Sequence, residues 1–126
     1  MVLRGCAVRC LIVDDSAAFR DAATDMLERA GFDVVGVARS AEEALTRYAD
    51  LHPDVTLVDV ELGGDSGFDV VEQLNRADDP APSVILISTH SEQDYAEMIE
   101  ASPALGFLAK IELSAAKIRG MVESGR

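Results

Sequence analysis

The chain has 126 residues, enough for one domain with a single core but too few for separate catalytic and substrate-binding domains. Its 23 acidic and 11 basic residues give a formal net charge of -12, which argues against direct binding to nucleic acid or an anionic membrane surface. Cys6 and Cys10 are too few for a disulfide framework, and no stretch approaches the roughly 18 apolar residues of a membrane span. We therefore expect a cytoplasmic protein.

Five short apolar runs, rich in β-branched or aromatic residues, predict strands. Helical periodicities, with apolar residues three and four positions apart, follow each of them. Strict alternation of strand and helix predicts a doubly wound α/β fold with a parallel sheet. The predicted strands are Val8 to Val13, Phe32 to Ala38, Val55 to Val58, Ser83 to Ile87 and Leu105 to Ala109, and the predicted helices are about Phe19 to Ala30, Ala41 to Ala49, Phe68 to Leu74, Ser91 to Ala101 and Leu113 to Glu123.

Helix ends carry their own signals. Gly31 predicts the end of the first helix. Ser40 with Glu43, and Ser66 with Asp69, resemble capping boxes, in which the side chains satisfy free backbone N–H groups at a helix start.

The fifth predicted helix carries two apolar stripes. One interpretation is a single broad buried face. The other is a core face plus a second face that packs on a dimer mate or on an output element. The stripes consist of Leu113, Ala116, Gly120 and Met121, and of Ile111, Ala115, Ile118 and Val122.

Acidic, hydroxyl and amine groups stand where the predicted strands end. The crevice of an open parallel sheet lies beyond the carboxyl ends of its strands, so these groups are expected to converge. Carboxylate oxygens suit Mg²⁺, which keeps several waters and is commonly found beside a phosphate. The groups are Asp14 and Asp15 after the first strand, Asp59 after the third, Ser88 and Thr89 after the fourth, and Lys110 after the fifth.

Asp59 is predicted to be a phosphoryl acceptor. Its strand is central in a flavodoxin-like order, so its carboxylate can both touch the metal and attack phosphorus, giving an aspartyl phosphate. The oxygens of the transferred group need fixed positive partners, which Mg²⁺ and Lys110 would supply. Ser88 can bond a third oxygen only by moving, which couples the chemistry to conformation.

With these residues the chain resembles, over essentially its whole length, the receiver domain of two-component response regulators. The resemblance implies a flavodoxin-like (βα)5 sandwich of strand order 2-1-3-4-5, and one receiver domain over residues 1–126, either stand-alone or the N-terminal part of a longer regulator. The paired acids of the family match Asp14 and Asp15, its phosphoacceptor Asp59, its switch hydroxyl Ser88, its lysine Lys110, its aromatic switch residue Phe107 and the glycine opening its third helix Gly67.

The same resemblance implies the metal ligands. The carboxylates of Asp15 and Asp59 and the backbone carbonyl of Glu61 would hold Mg²⁺, and Asp14 would act largely through water. It also implies that Phe107 rotates inward on phosphorylation, although an ordinary packed aromatic is the other interpretation of this residue.

Two segments depart from the family pattern. Ile111 follows Lys110 where the family commonly has proline after a cis bond, which would cost roughly 3 kcal/mol before isoleucine, so this loop is expected to be trans or strained. Leu62-Gly63-Gly64 replaces the usual Met-Pro, and two glycines are expected to loosen that loop. No reacting group is lost, so we expect altered kinetics or switch amplitude rather than lost phosphorylation.

Glu61 and His90 are predicted to flank the entrance to the phosphoryl group. In the receiver family these positions resemble sites that tune phosphoryl lifetime, because they can admit, orient or exclude the hydrolytic water. The pair is therefore predicted to govern dephosphorylation. The alternative is two exposed loop side chains that touch only water.

The resemblance favours a phosphorylation switch over an enzyme. A sensor histidine kinase or a histidine phosphotransfer protein would donate phosphate to Asp59, and the domain would assist its own phosphorylation and dephosphorylation. The surface of the fourth helix, fifth strand and fifth helix would then change for an output domain, a downstream protein or a second copy of the chain.

Two alternatives stay open. A pseudo-receiver would bind partners without phosphorylation. A small phosphatase of the haloacid dehalogenase type also uses an aspartate nucleophile with a second acid two residues on. Glu61 occupies that position, but Leu62 and Gly63 do not match the rest of that motif, and no cap domain is available.

Overall fold

Seven strands and five α-helices make up the described part of the chain, residues 7–77 and 83–124 of a computed structural model. The strands are β1 (Arg9–Val13), β2 (Asp33–Ala38), β3 (Val55–Asp59), β4 (Glu61–Leu62), β5 (Asp65–Ser66), β6 (Val84–Ser88) and β7 (Gly106–Ala109). The helices are α1 (Ala17–Arg29), α2 (Ala41–Leu51), α3 (Gly67–Ala77), α4 (Ala96–Ala101) and α5 (Ala115–Ser124), with 3₁₀ turns at Glu92–Tyr95 and Lys110–Glu112.

Five of the strands form one parallel sheet in the order β2-β1-β3-β6-β7. The other two, β4 and β5, pair as a separate antiparallel hairpin, which lies in the chain between β3 and β6. The sheet order is therefore the predicted 2-1-3-4-5, and the flavodoxin-like α/β fold is confirmed. β1 and β3 lie in the interior of the sheet, which puts their carboxyl ends next to each other.

Each face of the sheet carries its own hydrophobic cluster. Leu11 and Val13 of β1 face the cluster under α2 and α3, whereas Cys10 and Ile12 face the cluster under α1 and α5. Because both faces are covered, the strands read as continuous apolar runs. Burial raises the pKa of the Cys10 thiol to about 12, so this thiol stays protonated and unreactive. Cys6 lies outside the described residues.

The helix starts match the predicted signals in part. Ser40 Oγ accepts a hydrogen bond from the Glu43 backbone N–H at 3.2 Å, but Glu43 Oε1 accepts from the N–H of Arg39 rather than completing the box at Ser40. Ser66 Oγ accepts from the N–H of Phe68 rather than from that of Asp69, so the second predicted box is not formed as expected. Gly31, at a φ of 94°, follows the end of α1 as predicted.

The fourth predicted helix is shorter than expected. Its first turn is 3₁₀, closed by a capping box between Ser91 and Asp94, and α4 follows only after Tyr95. Neither the turn nor α4 has a fully buried residue, and Tyr95 and Ile99 pack half-buried on the core. This segment is thus the least anchored of the helices around the sheet.

The fifth helix begins at Ala115, two residues later than predicted, where Ser114 Oγ accepts from the Lys117 N–H. Ile111 precedes the helix in a 3₁₀ turn and is 94% exposed, so its assignment to an apolar stripe is wrong. The remaining members of that stripe, Ala115, Ile118 and Val122, are buried. The other predicted stripe divides into half-buried Leu113 and Met121 and exposed Ala116 and Gly120. Within the described ranges, no helix has the length and apolar character needed to cross a bilayer.

The double glycine after the third sheet strand makes a hairpin turn. Gly63, with a φ of 63°, and Gly64 connect β4 to β5, and buried Leu62 anchors the first of these strands in the core. The loop that contains the two glycines was expected to be loose, but the strands on either side of it pair with each other.

Gly67 lies against the backbone of Asp59. Its N–H donates to the Val60 carbonyl at 2.8 Å, and a Cβ on Gly67 would collide with the backbone carbonyl of Asp59. Because backbone cannot move aside as a flexible side chain would, only glycine fits this helix start.

We expect Gly67→Ala to lower the free energy of unfolding by about 1–3 kcal/mol, since the clash forces the backbone of Asp59 or α3 to shift. Urea unfolding measures the change. Gly64→Ala is the matched control, because a Cβ there meets nothing within 4 Å. Equal stability of the two variants would contradict this explanation.

Candidate functional site

The carboxyl ends of β1, β3, β6 and β7 surround one open cavity. The structure thus brings together all the strand-end groups that the sequence analysis selected. A larger groove of 530 Å³ lies between α2 and α3, but its lining is mainly apolar and contains no acid, so chemistry rather than size identifies the site. The cavity is lined by Asp14, Asp15, Asp59, Ser88, Thr89 and Lys110, together with Ser16, Glu61 and Gly63.

Three carboxylates form a cluster at the cavity. One oxygen from each of Asp14, Asp15 and Asp59 lies within 4.8 Å of the others. Asp14 is fully buried and Asp59 nearly so, whereas Asp15 is exposed. Asp14 Oδ1 accepts from the Ser16 N–H at 2.8 Å, and Asp59 Oδ1 accepts from the Glu61 N–H at 3.1 Å, so local turns fix both buried acids.

Lys110 lies between the two buried acids. Its Nζ is 2.6 Å from Asp14 Oδ2 and 3.2 Å from Asp59 Oδ2, and it stands 4.3 Å above the ring centre of Phe19. Burial alone would lower the pKa of this amine, but the hydrogen bond and charge of Asp14 and the charge of Asp59 outweigh it, and the pKa is raised. The lysine therefore stays charged and reaches both acids despite the isoleucine after it.

Asp59 has a perturbed carboxyl group. Burial is the main reason that its pKa rises from 3.8 to about 6, and the charge of Asp14 adds to the rise. The Glu61 N–H and Lys110 act in the opposite direction without cancelling it. One ammonium group among three carboxylates leaves an excess of negative charge, and an all-oxygen donor set of this kind fits Mg²⁺.

Ser88 and Phe107 both lie inside the molecule. Ser88 is buried, and its Oγ accepts from the His90 N–H at 3.0 Å. Phe107 is only 7% exposed and belongs to the core cluster under α2 and α3. The predicted inward rotation of Phe107 would have to start from an outward ring, whereas in this structure the ring is already buried.

Glu61 and His90 meet at the edge of the cavity. His90 Nδ1 lies 4.0 Å from Glu61 Oε2, and the side chains are 51% and 65% exposed, respectively. The interpretation that both touch only water does not describe them, since Glu61 Oε2 also accepts a hydrogen bond from the Tyr95 hydroxyl at 2.9 Å.

Sequence reasoning missed two aromatic contacts of this site, Phe19 against Lys110 and Tyr95 against Glu61. Phe19 begins the first predicted helix and Tyr95 lies in the fourth, and the spacing of an aromatic residue in a helix does not show which polar group it contacts. Burial raises the pKa of Tyr95, and the bond to Glu61 adds to this, while the nearby Ser88 hydroxyl lowers it.

Comparison with known proteins identifies the family. The family model for the response regulator receiver domain matches residues 10–123. The chain therefore belongs to the response-regulator receiver family, which signals in two-component systems through a phosphoacceptor.

Individual relatives agree. The chain is 34% identical over 96 residues to the chemotaxis protein CheY of Thermotoga maritima, covering 76% of this chain and 78% of that protein. It is 40% identical over 86 residues to a protein-glutamate methylesterase/protein-glutamine glutaminase of Geobacillus kaustophilus, covering 68% of this chain but only 24% of that longer protein.

Solved structures show the same fold. The signal receiver domain of the response regulator NarL from Mycobacterium tuberculosis superposes with a TM-score of 0.79 at 27% identity, covering 94% of this chain and 96% of that one. A LuxR-family response regulator from Aurantimonas sp. SI85-9A1 gives a TM-score of 0.85 at 24% identity over 94% of this chain and 87% of that one, a likeness of fold alone.

The raised pKa of Asp59 predicts a pH-dependent stability in metal-free protein. Over a range of pH, the carboxyl group of Asp59 keeps its proton in the folded state but loses it in the unfolded chain. Ionisation of Asp59 in the folded state therefore lowers the free energy of unfolding. This cost is absent below about pH 4, grows up to about pH 6 and stays constant above it.

In EDTA, Asp59→Asn is therefore expected to be more stable than the parent by about 1–2 kcal/mol at about pH 7.5, with little difference near about pH 4. Urea unfolding across this range measures it. Asp21→Asn, which removes an exposed carboxylate from α1, should show no such step. A parent chain that is equally stable or more stable than Asp59→Asn at the higher pH would refute this account.

Proposed function

We propose that Asp59 accepts a phosphoryl group from a sensor histidine kinase or a histidine phosphotransfer protein, and that the phosphorylated domain acts as a signalling switch. The observation that carries the proposal is the position of Lys110, whose ammonium lies within 3.2 Å of Asp59 in an open, acid-lined cavity. We also propose that residues 1–126 form a single receiver domain.

The transfer needs a nucleophile and fixed positive charge. An oxygen of Asp59 forms a bond to phosphorus while the bond from phosphorus to the donor's imidazole nitrogen breaks, and its electron pair stays on that nitrogen. Lys110 leaves its ion pair with Asp59 to contact a phosphoryl oxygen, and remains near Asp14. In this role the domain assists its own phosphorylation and is not otherwise an enzyme.

Asp15, Asp59 and the backbone carbonyl of Glu61, with Asp14 behind them, are the residues that would hold Mg²⁺. Bound there, the ion would neutralise charge on the phosphoryl oxygens. The exposed side of the cluster is Asp15, which leaves room for the waters that Mg²⁺ retains.

The switch would run through Ser88. Its hydroxyl now accepts from the His90 N–H, and a move toward the phosphoryl group would pull on the turn that leads to α4. α4 has no buried residue of its own in the described structure, so it can shift at low cost. The surface of α4, β7 and α5 would then be read by an output domain, a downstream protein or a second copy of the chain.

Phosphoryl uptake tests the central claim. Acetyl phosphate should add one phosphoryl group to the parent chain in the presence of Mg²⁺ but not in EDTA, and none to Asp59→Asn, as measured by intact mass. Asp21→Asn should behave like the parent. Absence of uptake under all conditions would favour a pseudo-receiver, whereas turnover of an added phosphomonoester would favour a phosphatase.

Glu61 and His90 are proposed to set the lifetime of the aspartyl phosphate. His90 stands beside the carboxylate of Glu61, which lines the cavity, so removing the His90 ring exposes that carboxylate further to water. We expect His90→Ala to speed phosphoryl loss about threefold while changing the Mg²⁺ dissociation constant less. Decay is followed by intact mass after the donor is removed.

His52→Asn is the control for this comparison. His52 is the other histidine of the chain and caps α2 at a φ of 45°, a backbone conformation that asparagine accepts. It should decay at the parental rate. Unchanged decay in both His90→Ala and Glu61→Ala would remove the pair from the mechanism.

A further inference from the structure

Tyr95 is held in place from several sides. Its ring packs on Phe68 and Phe107, with centroids 5.9 Å and 6.3 Å away, and makes a T-shaped contact with the ring of His90 at a centroid distance of 6.0 Å. Phe68 and Phe107 are buried, so the two contacts fix the phenol ring against the core. The ring packing directs the hydroxyl toward Glu61, and it lies 2.9 Å from Glu61 Oε2.

Glu61 connects Tyr95 to the reacting centre. Glu61 lines the acid-rich cavity, whereas Tyr95 is not among the lining residues. The backbone N–H of Glu61 donates to Asp59 Oδ1, so its side chain starts next to the phosphoacceptor. A largely exposed glutamate would ordinarily sample several rotamers, and the hydrogen bond from the Tyr95 hydroxyl favours one of them. Tyr95 therefore contributes to the location of this carboxylate.

We propose that Tyr95 is a positioning residue that holds the Glu61 carboxylate away from the hydrolytic water and so lengthens the life of the aspartyl phosphate. The inference rests on the proposed phosphorylation of Asp59 and deepens it. Tyr95 does not line the cavity, and its hydroxyl donates to Glu61, which does, so its effect on the decay rate is expected to depend on Glu61.

Hydrolysis shows why the position of Glu61 matters. The oxygen of a water molecule forms a bond to phosphorus, and the bond from phosphorus to the Asp59 oxygen breaks, leaving its electron pair on the Asp59 carboxylate. One proton of the water is given up, and a free carboxylate within reach accelerates the step by accepting it. While Oε2 of Glu61 accepts from Tyr95, that oxygen is less available to the water.

The test is a double-mutant cycle of Tyr95→Phe and Glu61→Ala, read as the rate of phosphoryl loss after donor removal. Phenylalanine keeps the ring that packs on Phe68 and Phe107 and removes only the hydroxyl. We expect Tyr95→Phe to speed phosphoryl loss about threefold or more, the range of one net hydrogen bond, and to have no effect when Glu61 is alanine.

Tyr48→Phe is the matched control, since it also deletes a phenol hydroxyl, from the other tyrosine of the chain, in α2. It should leave the decay rate unchanged. Equal decay of Tyr95→Phe and the parent, or an acceleration that persists undiminished with Glu61→Ala, would overturn the inference while leaving the phosphoacceptor role intact. No uptake by the parent chain would overturn both.

Discussion

The ion pair of Lys110 with Asp14 and Asp59 organises the whole carboxyl edge of the sheet. Two nearly buried carboxylates so close to each other would repel strongly, and removing either from water is costly. The ammonium between them offsets part of this cost, as do the backbone N–H groups of Ser16 and Glu61. Burial, with the charge of Asp14 adding to it, still raises the pKa of Asp59. Three carboxylates around one ammonium leave an excess of negative charge, an arrangement that fits a divalent cation.

The cavity is bordered by elements of unequal burial: a rigid sheet and the start of α3, and a less buried segment that leads into α4. β1 and β3 are buried on both faces, and the contact between Gly67 and the backbone of Asp59 fixes the start of α3. In contrast, the segment from the 3₁₀ turn to α4 has only half-buried anchors, Tyr95 among them. A chemical change at Asp59 would therefore be transmitted to α4 more readily than to the sheet.

Most of the fold was predictable because its signals are local. Continuous apolar runs indicate strands covered on both faces, and strict alternation with helices leaves few topologies open. The errors occurred where local signals conflict. Ile111 continues a helical periodicity but lies in a 3₁₀ turn before Ser114, and the polar run from Ser91 to Asp94 favours a tight capped turn over a regular first helical turn.

The sequence by itself determined the chemistry available to this protein: acids, a hydroxyl and an amine at strand ends, which a parallel sheet must bring to one edge. Only the tertiary structure decided how these groups are held. The ring of Phe19 under Lys110, the buried position of Phe107 and the bond from Tyr95 to Glu61, 34 residues apart, depend on packing between elements distant in the chain. Such contacts depend on side-chain shape and on how the helices pack on the sheet, and the spacing of residues along the sequence does not determine either.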